Sequence, residues 1–452
     1  MRLVAEPGGF RYTSRAAMRR RTIRNQYRMA PVTHATSSAC GEFIPPPRLL
    51  LGPGPSLVHP RVLQAMGRPL LGHLDPEFLQ LMNEIQAMLR QVFRTENRFT
   101  IALSGTGSAG MEALLVNLVE PGETVLVGVN GVFGARMAAV VERCGGRPIT
   151  IEAPWGRIIE PDAIRLALAR SGPVKAVALV HAETSTGARQ PLEAIGALCR
   201  EAGALFIVDA VTSLAGLPLE VDAWGIDACY SGTQKCLSCP PGLAPLTLND
   251  RALTAIRRRT TACRSWYLDL SLVADYWEEG KRAYHHTAPI SMLYGLREAL
   301  RLVEEEGLEP RFARHRLQSE ALGAGLEALG LSPFAQEGYR LPSLACVTLP
   351  SRIDDAAVRA SLLRRFQIEI GGGLGPLRGQ VWRIGLMGES ARRSHVLTLL
   401  SALEELGLEQ GWLAQPGAAL TAAAGVYART GEPAASPQKS ARMSSEREKA
   451  CS

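Results

Sequence analysis

A single lysine, Lys235, sits in SGTQKCLSCPPG (231–242), a run of small and polar residues that follows an apolar segment. A free lysine amine holds its proton up to about pH 10.4, and only the neutral form attacks a carbonyl. Asp209 closes the apolar run ALFIVD, where a carboxylate is expensive unless a cation or a donor meets it. GTGSAG, residues 105–110, follows FTIALS and precedes a helical pattern. At such a helix start the backbone N–H groups of Thr106, Gly107 and Ser108 are placed to hold an anion. Arg383 is the lone cation in VWRIGL, and a guanidinium fork takes a carboxylate with two prongs.

Each group also has a plainer reading. GTGSAG formally satisfies GxGxxG, yet TVLVGVNG ends at Asn130 where a dinucleotide site needs an acid for the ribose. A phosphate monoester fits better, with a tight glycine turn as the alternative. Asp209 can cap a turn, Lys235 can be solvated, and Arg383 can join a structural ion pair. If the phosphate belongs to pyridoxal phosphate, the groups acquire one purpose. Asp209 then pairs with the ring nitrogen, and Lys235 bonds the aldehyde and later moves the α-proton.

These groups must be carried by regular elements. From about Phe99 short apolar runs alternate with helical stretches, FTIALSG then SAGMEALLVNLV, TVLVGV then GARMAAVVERC, VKAVALVH then PLEAIGALCREAG, then ALFIVDAV. This predicts a mostly parallel sheet with helices on both faces and ligands at the carboxyl ends of its strands. After about Leu296 the pattern turns to long helices, a strand LACVTLP, a helix DDAAVRASLLRRF and VWRIGL, which predicts a smaller α+β domain. Beyond about Pro416 an Ala-, Ser- and Gly-rich stretch without periodicity predicts a disordered tail.

Composition narrows the classes. With 46% hydrophobic and 21% charged residues in 452, the chain can bury a large core, and no apolar run approaches membrane-spanning length. Eight arginines against one acid in residues 1–28 carry the whole net charge of +7. The remainder lacks a basic stripe, so nucleic acid is not an expected partner. This arm resembles a transit peptide and is expected outside the fold. Nine scattered cysteines favour a reducing compartment, and nothing completes Cys236-x-x-Cys239 as a metal set, so no metal is expected.

Taken in order, LLLGPGPS, GHLDPEF, LSGTGSAGMEALLVNLVEPG, VHAETSTGARQPL, VDAVTSLAG, YSGTQK, PPG, YHHTAPI and EIGGGLGPLRGQVWRIGLMG resemble the alanine–glyoxylate (serine–pyruvate) aminotransferase family over residues 44–410. The resemblance implies a fold-type-I pyridoxal-phosphate enzyme of class V. Its parts would be a large domain (44–300) with a mostly parallel seven-stranded sheet and a small α+β domain (301–414), while the basic extension (1–43) and the tail (415–452) are not covered by the resemblance. It makes Lys235 the lysine bonded to the cofactor and Asp209 the partner of its ring nitrogen. Thr106, Gly107, Ser108 and Gln234 fall at phosphate positions. Phe133 falls where many relatives stack a tryptophan on the ring, Val211 on the other face, and Thr184 beside ring and substrate. Tyr284 and Thr287 match residues that reach the neighbouring subunit's phosphate, implying a homodimer with shared sites. Arg383 matches the carboxylate clamp and Gly54 a substrate contact, while His73 in GHLDPEF is either a loop histidine satisfied by backbone or a gate over the active site and is not counted as catalytic.

The implied activity is transfer of an amino group from alanine or serine to glyoxylate in the cytoplasm, with mitochondrial import as the alternative. Cysteine desulfurase is the nearest rival. It differs by a histidine where Gln234 stands and by a cysteine on a mobile loop, whereas Cys346 lies in a strand-like run.

Overall fold

The structure, a computed structural model, describes residues 2–3, 41–278, 280 and 282–430. Across its main sheet lie Arg147–Glu152, Thr124–Val129, Ala176–Val180, Leu205–Asp209, Ala228–Tyr230, Leu243–Leu248 and Phe99–Ser104, in that order. The first five are parallel, and Leu243–Leu248 runs antiparallel to both neighbours. Every residue of Ala176–Val180 and Leu205–Asp209 is buried, as parallel strands covered on both faces must be.

An eighth strand, Arg2–Leu3, pairs in parallel with Arg147–Glu152. The arm expected outside the fold therefore meets the sheet at these two residues, because an edge strand offers unpaired backbone groups to any extended segment.

A second, antiparallel sheet orders Ser332–Pro333, Leu344–Thr348, Val381–Gly385 and Gly371–Gly372. Two large apolar clusters accompany the two sheets, one drawn from Val62 to Val303 and one joining Leu51 to residues between Ala321 and Tyr427. Leu51 marks a difference from the expected division at residue 300. Leu49–Leu50 pairs with Ile368–Glu369, so the chain threads through the small domain before building the large one. The LLL run is too short for a helix, and its backbone finds partners in Gln367 and Glu369.

Residues 418–430, placed by composition in a disordered tail, form the helix Ala418–Thr430. Ala419, Ala423, Val426 and Tyr427 are buried in the small-domain cluster at helical spacing, a stripe that low side-chain variety conceals. Glu404 caps the start, accepting from the N–H groups of Gly417 (2.9 Å) and Ala419 (2.6 Å). Tyr427 donates its hydroxyl to Gln318 at 2.6 Å. Among the described residues no helix is long and apolar enough to cross a membrane.

Candidate active site

Ser104, Asp209 and Tyr230 each end a strand of the main sheet, and the loops at this edge converge. Gly105 adopts φ +134°, a left-handed conformation natural to glycine, which turns the chain from strand to helix. Its N–H donates to the Gly242 carbonyl (2.9 Å), tying PPG to this turn. The helix Gly107–Leu118 follows, with Thr106 at its N-cap and no side chain closing the cap. The first N–H groups of any helix lack intrahelical acceptors, so this end is open to an anion. A side chain at Gly107 would press on Val211, its Cβ only 3.0 Å from Val211 Cγ2.

Asp209 is buried, and that burial raises its pKa. Donors oppose the shift: the Tyr230 hydroxyl bonds Oδ2 at 2.6 Å and the Val211 N–H bonds Oδ1 at 2.9 Å. Tyr230 stands beside Asp209 because their strands pair in register. Lys235 follows the same strand edge, and its amine donates to the Pro53 carbonyl. Burial brings its pKa from 10.5 down to about 8, with Arg383 pushing the same way and Asp209 against it. Gly54 makes room for this amine, since a Cβ there would lie 2.4 Å from Lys235 Nζ.

Thr106, Gly107, Ser108, Phe133, Thr184, Asp209, Val211, Gln234 and Lys235 line one cavity of about 140 Å³. That is the size class that accepts a single six-membered ring. Arg383 stands beside it, buried, donating Nε–H to the Gly372 carbonyl (2.8 Å) and Nη1–H to the Thr184 carbonyl (3.4 Å). No carboxylate pairs with it among the described residues. Tyr284 and Thr287 lie outside the cavity, both exposed, with the His73 and Tyr284 rings 5.2 Å apart.

Sequence reasoning missed Met111, Arg136, Ala182, Thr212 and Tyr230 in the same lining. Arg136 was within reach, one helical turn beyond Phe133, and its guanidinium lies 5.1 Å from that ring's centre. Tyr230 was not, because strand pairing brings it there.

The residues fit pyridoxal phosphate. Gln234 Oε1 is buried without a partner, and an amide turned over offers N–H donors at the same point. The open helix start, a buried carboxylate, a ring-sized space and a lysine whose pKa burial lowers to about 8 complete the set. Together with the mostly parallel sheet they define a fold-type-I pyridoxal-phosphate transaminase.

Comparison with known proteins agrees. Residues 49–378 match the model of the aminotransferase class-V family. The (S)-ureidoglycine–glyoxylate transaminase of Bacillus subtilis is 44% identical over 87% of this chain and 99% of its own. An alanine–glyoxylate aminotransferase of Callithrix jacchus is 43% identical over 80% of this chain and 87% of its own. The crystal structure of an alanine–glyoxylate aminotransferase from Nostoc sp. superposes with a TM-score of 0.80 at 51% identity, covering 81% of this chain and 97% of that one. The chain belongs to the aminotransferase class-V family and is a pyridoxal-phosphate-dependent transaminase.

Proposed function

We propose that this transaminase carries an amino group from a small amino acid, alanine or serine, to glyoxylate. The carrying observation is Arg383, a buried cation held by two carbonyls beside the lysine and lacking a carboxylate partner among the described residues. Donor and acceptor share the α-carboxylate that would complete it. Relatives named for glyoxylate support the acceptor.

When bound, pyridoxal phosphate supplies an aldehyde to hold the amino group and a ring to take up the electrons of the Cα–H bond. Thr106, Gly107, Ser108 and Gln234 would hold its phosphate, Asp209 its ring nitrogen, and Phe133 and Val211 its two faces. The Lys235 amine, neutral at mildly alkaline pH, takes the donor's Cα proton and in the reverse half returns one to the acceptor's Cα. Arg383 fixes the carboxylate so that this bond faces the amine, with Thr184 at its side. Gly54 keeps the approach to the amine free of a side chain.

Tyr284 and Thr287 act in a neighbouring subunit's site within a homodimer. Their exposure outside the cavity, beside an exposed Trp266 stacked on His285, supports this. The scattered cysteines support a reducing compartment, with the cytoplasm as the proposed location and mitochondrial import as the alternative.

Desulfurase chemistry is disfavoured. Cys346 is buried in Leu344–Thr348 opposite Arg383, and burial pushes its thiol up to about 12. A second donor, (S)-ureidoglycine, is supported by the B. subtilis relative named for it, 44% identical over 99% of its own length.

The purified holoenzyme should lose its visible cofactor band on addition of alanine or serine and regain it with glyoxylate. The ratio of kcat/KM values between these donors and (S)-ureidoglycine ranks them. A band indifferent to every donor, or restored by other keto acids and not by glyoxylate, would overturn the assignment.

A further inference from the structure

The turn after Ala176–Val180 carries a buried carboxylate, Glu183, that the chemistry above does not use. Its Oε2 accepts from the N–H groups of Phe133 (3.0 Å) and Gly134 (3.3 Å). Its Oε1 accepts the N–H (3.1 Å) and hydroxyl (2.5 Å) of Ser185. Ser185 Oγ in turn accepts from the Val132 N–H at 2.9 Å. One Glu–Ser pair thus takes the first three N–H groups of the helix Val132–Arg143. Those are donors that a helix start leaves open, at the end where negative charge is favoured. Position 131 must be small for this, since a Cβ at Gly131 would lie 2.4 Å from both Glu183 Cδ and Ser185 Oγ.

The capped turn holds Phe133 and, one turn on, Arg136, both in the cofactor cavity. Glu183's own turn holds Thr184, whose carbonyl accepts from Arg383. A carboxylate suits the post because it accepts four donors and brings none of its own. Its charge also acts favourably on Arg383.

We infer that Glu183 is a positioning residue whose carboxylate sets the Phe133 ring against the cofactor and, through the Thr184 carbonyl, keeps Arg383 in register with it. This rests on the assignment of Phe133 to the cofactor ring.

The test measures the dissociation constant of pyridoxal phosphate from reconstituted apoprotein, together with the visible circular dichroism that binding induces. Glu183→Gln keeps the shape but turns an N–H₂ toward one of the four donors. It should weaken the cofactor roughly tenfold, the scale of a lost helix cap, and reduce the visible dichroism while leaving the far-ultraviolet spectrum unchanged. Phe133→Ala should also weaken the cofactor. The double variant should lose less than the product of the two single losses, because Glu183 acts chiefly through that ring. Ser185→Ala should give a smaller loss in the same direction, and it carries the test if Glu183→Gln does not fold. Wild-type affinity and dichroism in Glu183→Gln, or losses that multiply in the double variant, would overturn the inference. Wild-type affinity in Phe133→Ala would overturn the ring assignment, and the inference with it.

Discussion

In the proposed assignment, the cofactor side and the substrate side of this site are built on opposite plans. Asp209, on the main sheet, already has a protein donor on each oxygen. Arg383, on the small sheet, has carbonyls for two of its donors and no carboxylate among the described residues. A group that serves a resident ligand is held in its working geometry, whereas one that serves ligands which come and go is left with capacity to spare. The lysine lies between these plans. Its amine is parked on the Pro53 carbonyl, and its charge feels Asp209 from one side and Arg383 from the other.

Breaking the cofactor side should do the most damage. Lys235→Ala should abolish transamination, and borohydride reduction of the wild-type holoenzyme should label Lys235 alone. A pyridoxyl label on another lysine would remove Lys235 from its role. The same residue gives a pH test. Burial brings its pKa to about 8, so capture of the aldehyde by apoprotein should speed up as pH rises toward 8 and level off beyond it. A rate that keeps climbing toward the ordinary lysine value of 10.5 would show that the amine is not desolvated in solution.

The contrast also explains what could be read from the chain. GTGSAG, ALFIVD and SGTQK are local signals, in which a strand ends, a turn follows and the functional residue sits at a fixed offset. Arg383 was legible because a cation in an apolar strand is an anomaly. Tyr230 and Glu183 were not, because both act across distance. One needs the register of two strands, and the other needs a turn near 183 to meet a helix start near 132. The helix Ala418–Thr430 was missed for a different reason, its stripe being two alanines, a valine and a tyrosine in a sequence of low variety.

On the substrate side the expected effect is smaller and of another kind. Losing a desolvated bidentate pair costs about 2–5 kcal/mol, so Arg383→Ala should lower kcat/KM roughly 30-fold or more for donor and acceptor alike. Arg383→Lys, with charge but no fork, should retain part of it. The cofactor's visible spectrum should be unchanged in both, since Arg383 does not line its cavity. Near-normal kcat/KM in Arg383→Ala would place the carboxylate elsewhere and dissolve the contrast.

The smallest effect should come from the small-domain core behind that arginine. Trp382, the neighbour of Arg383, shares an apolar cluster with Tyr427. Tyr427→Phe removes the bond to Gln318 and leaves that buried amide oxygen without its donor. Such a loss costs about 1–2 kcal/mol and should lower the thermal midpoint by roughly 1–2 °C. The Tyr427 ring keeps its place, with the Arg393 guanidinium 4.5 Å from its centre, so the helix should stay docked. Cofactor affinity and kcat/KM should therefore stay within about twofold of wild type, because a shift of less than about 0.4 kcal/mol at the site is invisible beyond that. Two outcomes would count against this. An unchanged midpoint would mean that the terminal helix is not held by this bond. A raised KM with unchanged cofactor affinity would mean that the Arg383 strand yields when its backing loosens, so that its precision depends on the small core as well as on the carbonyls of Gly372 and Thr184.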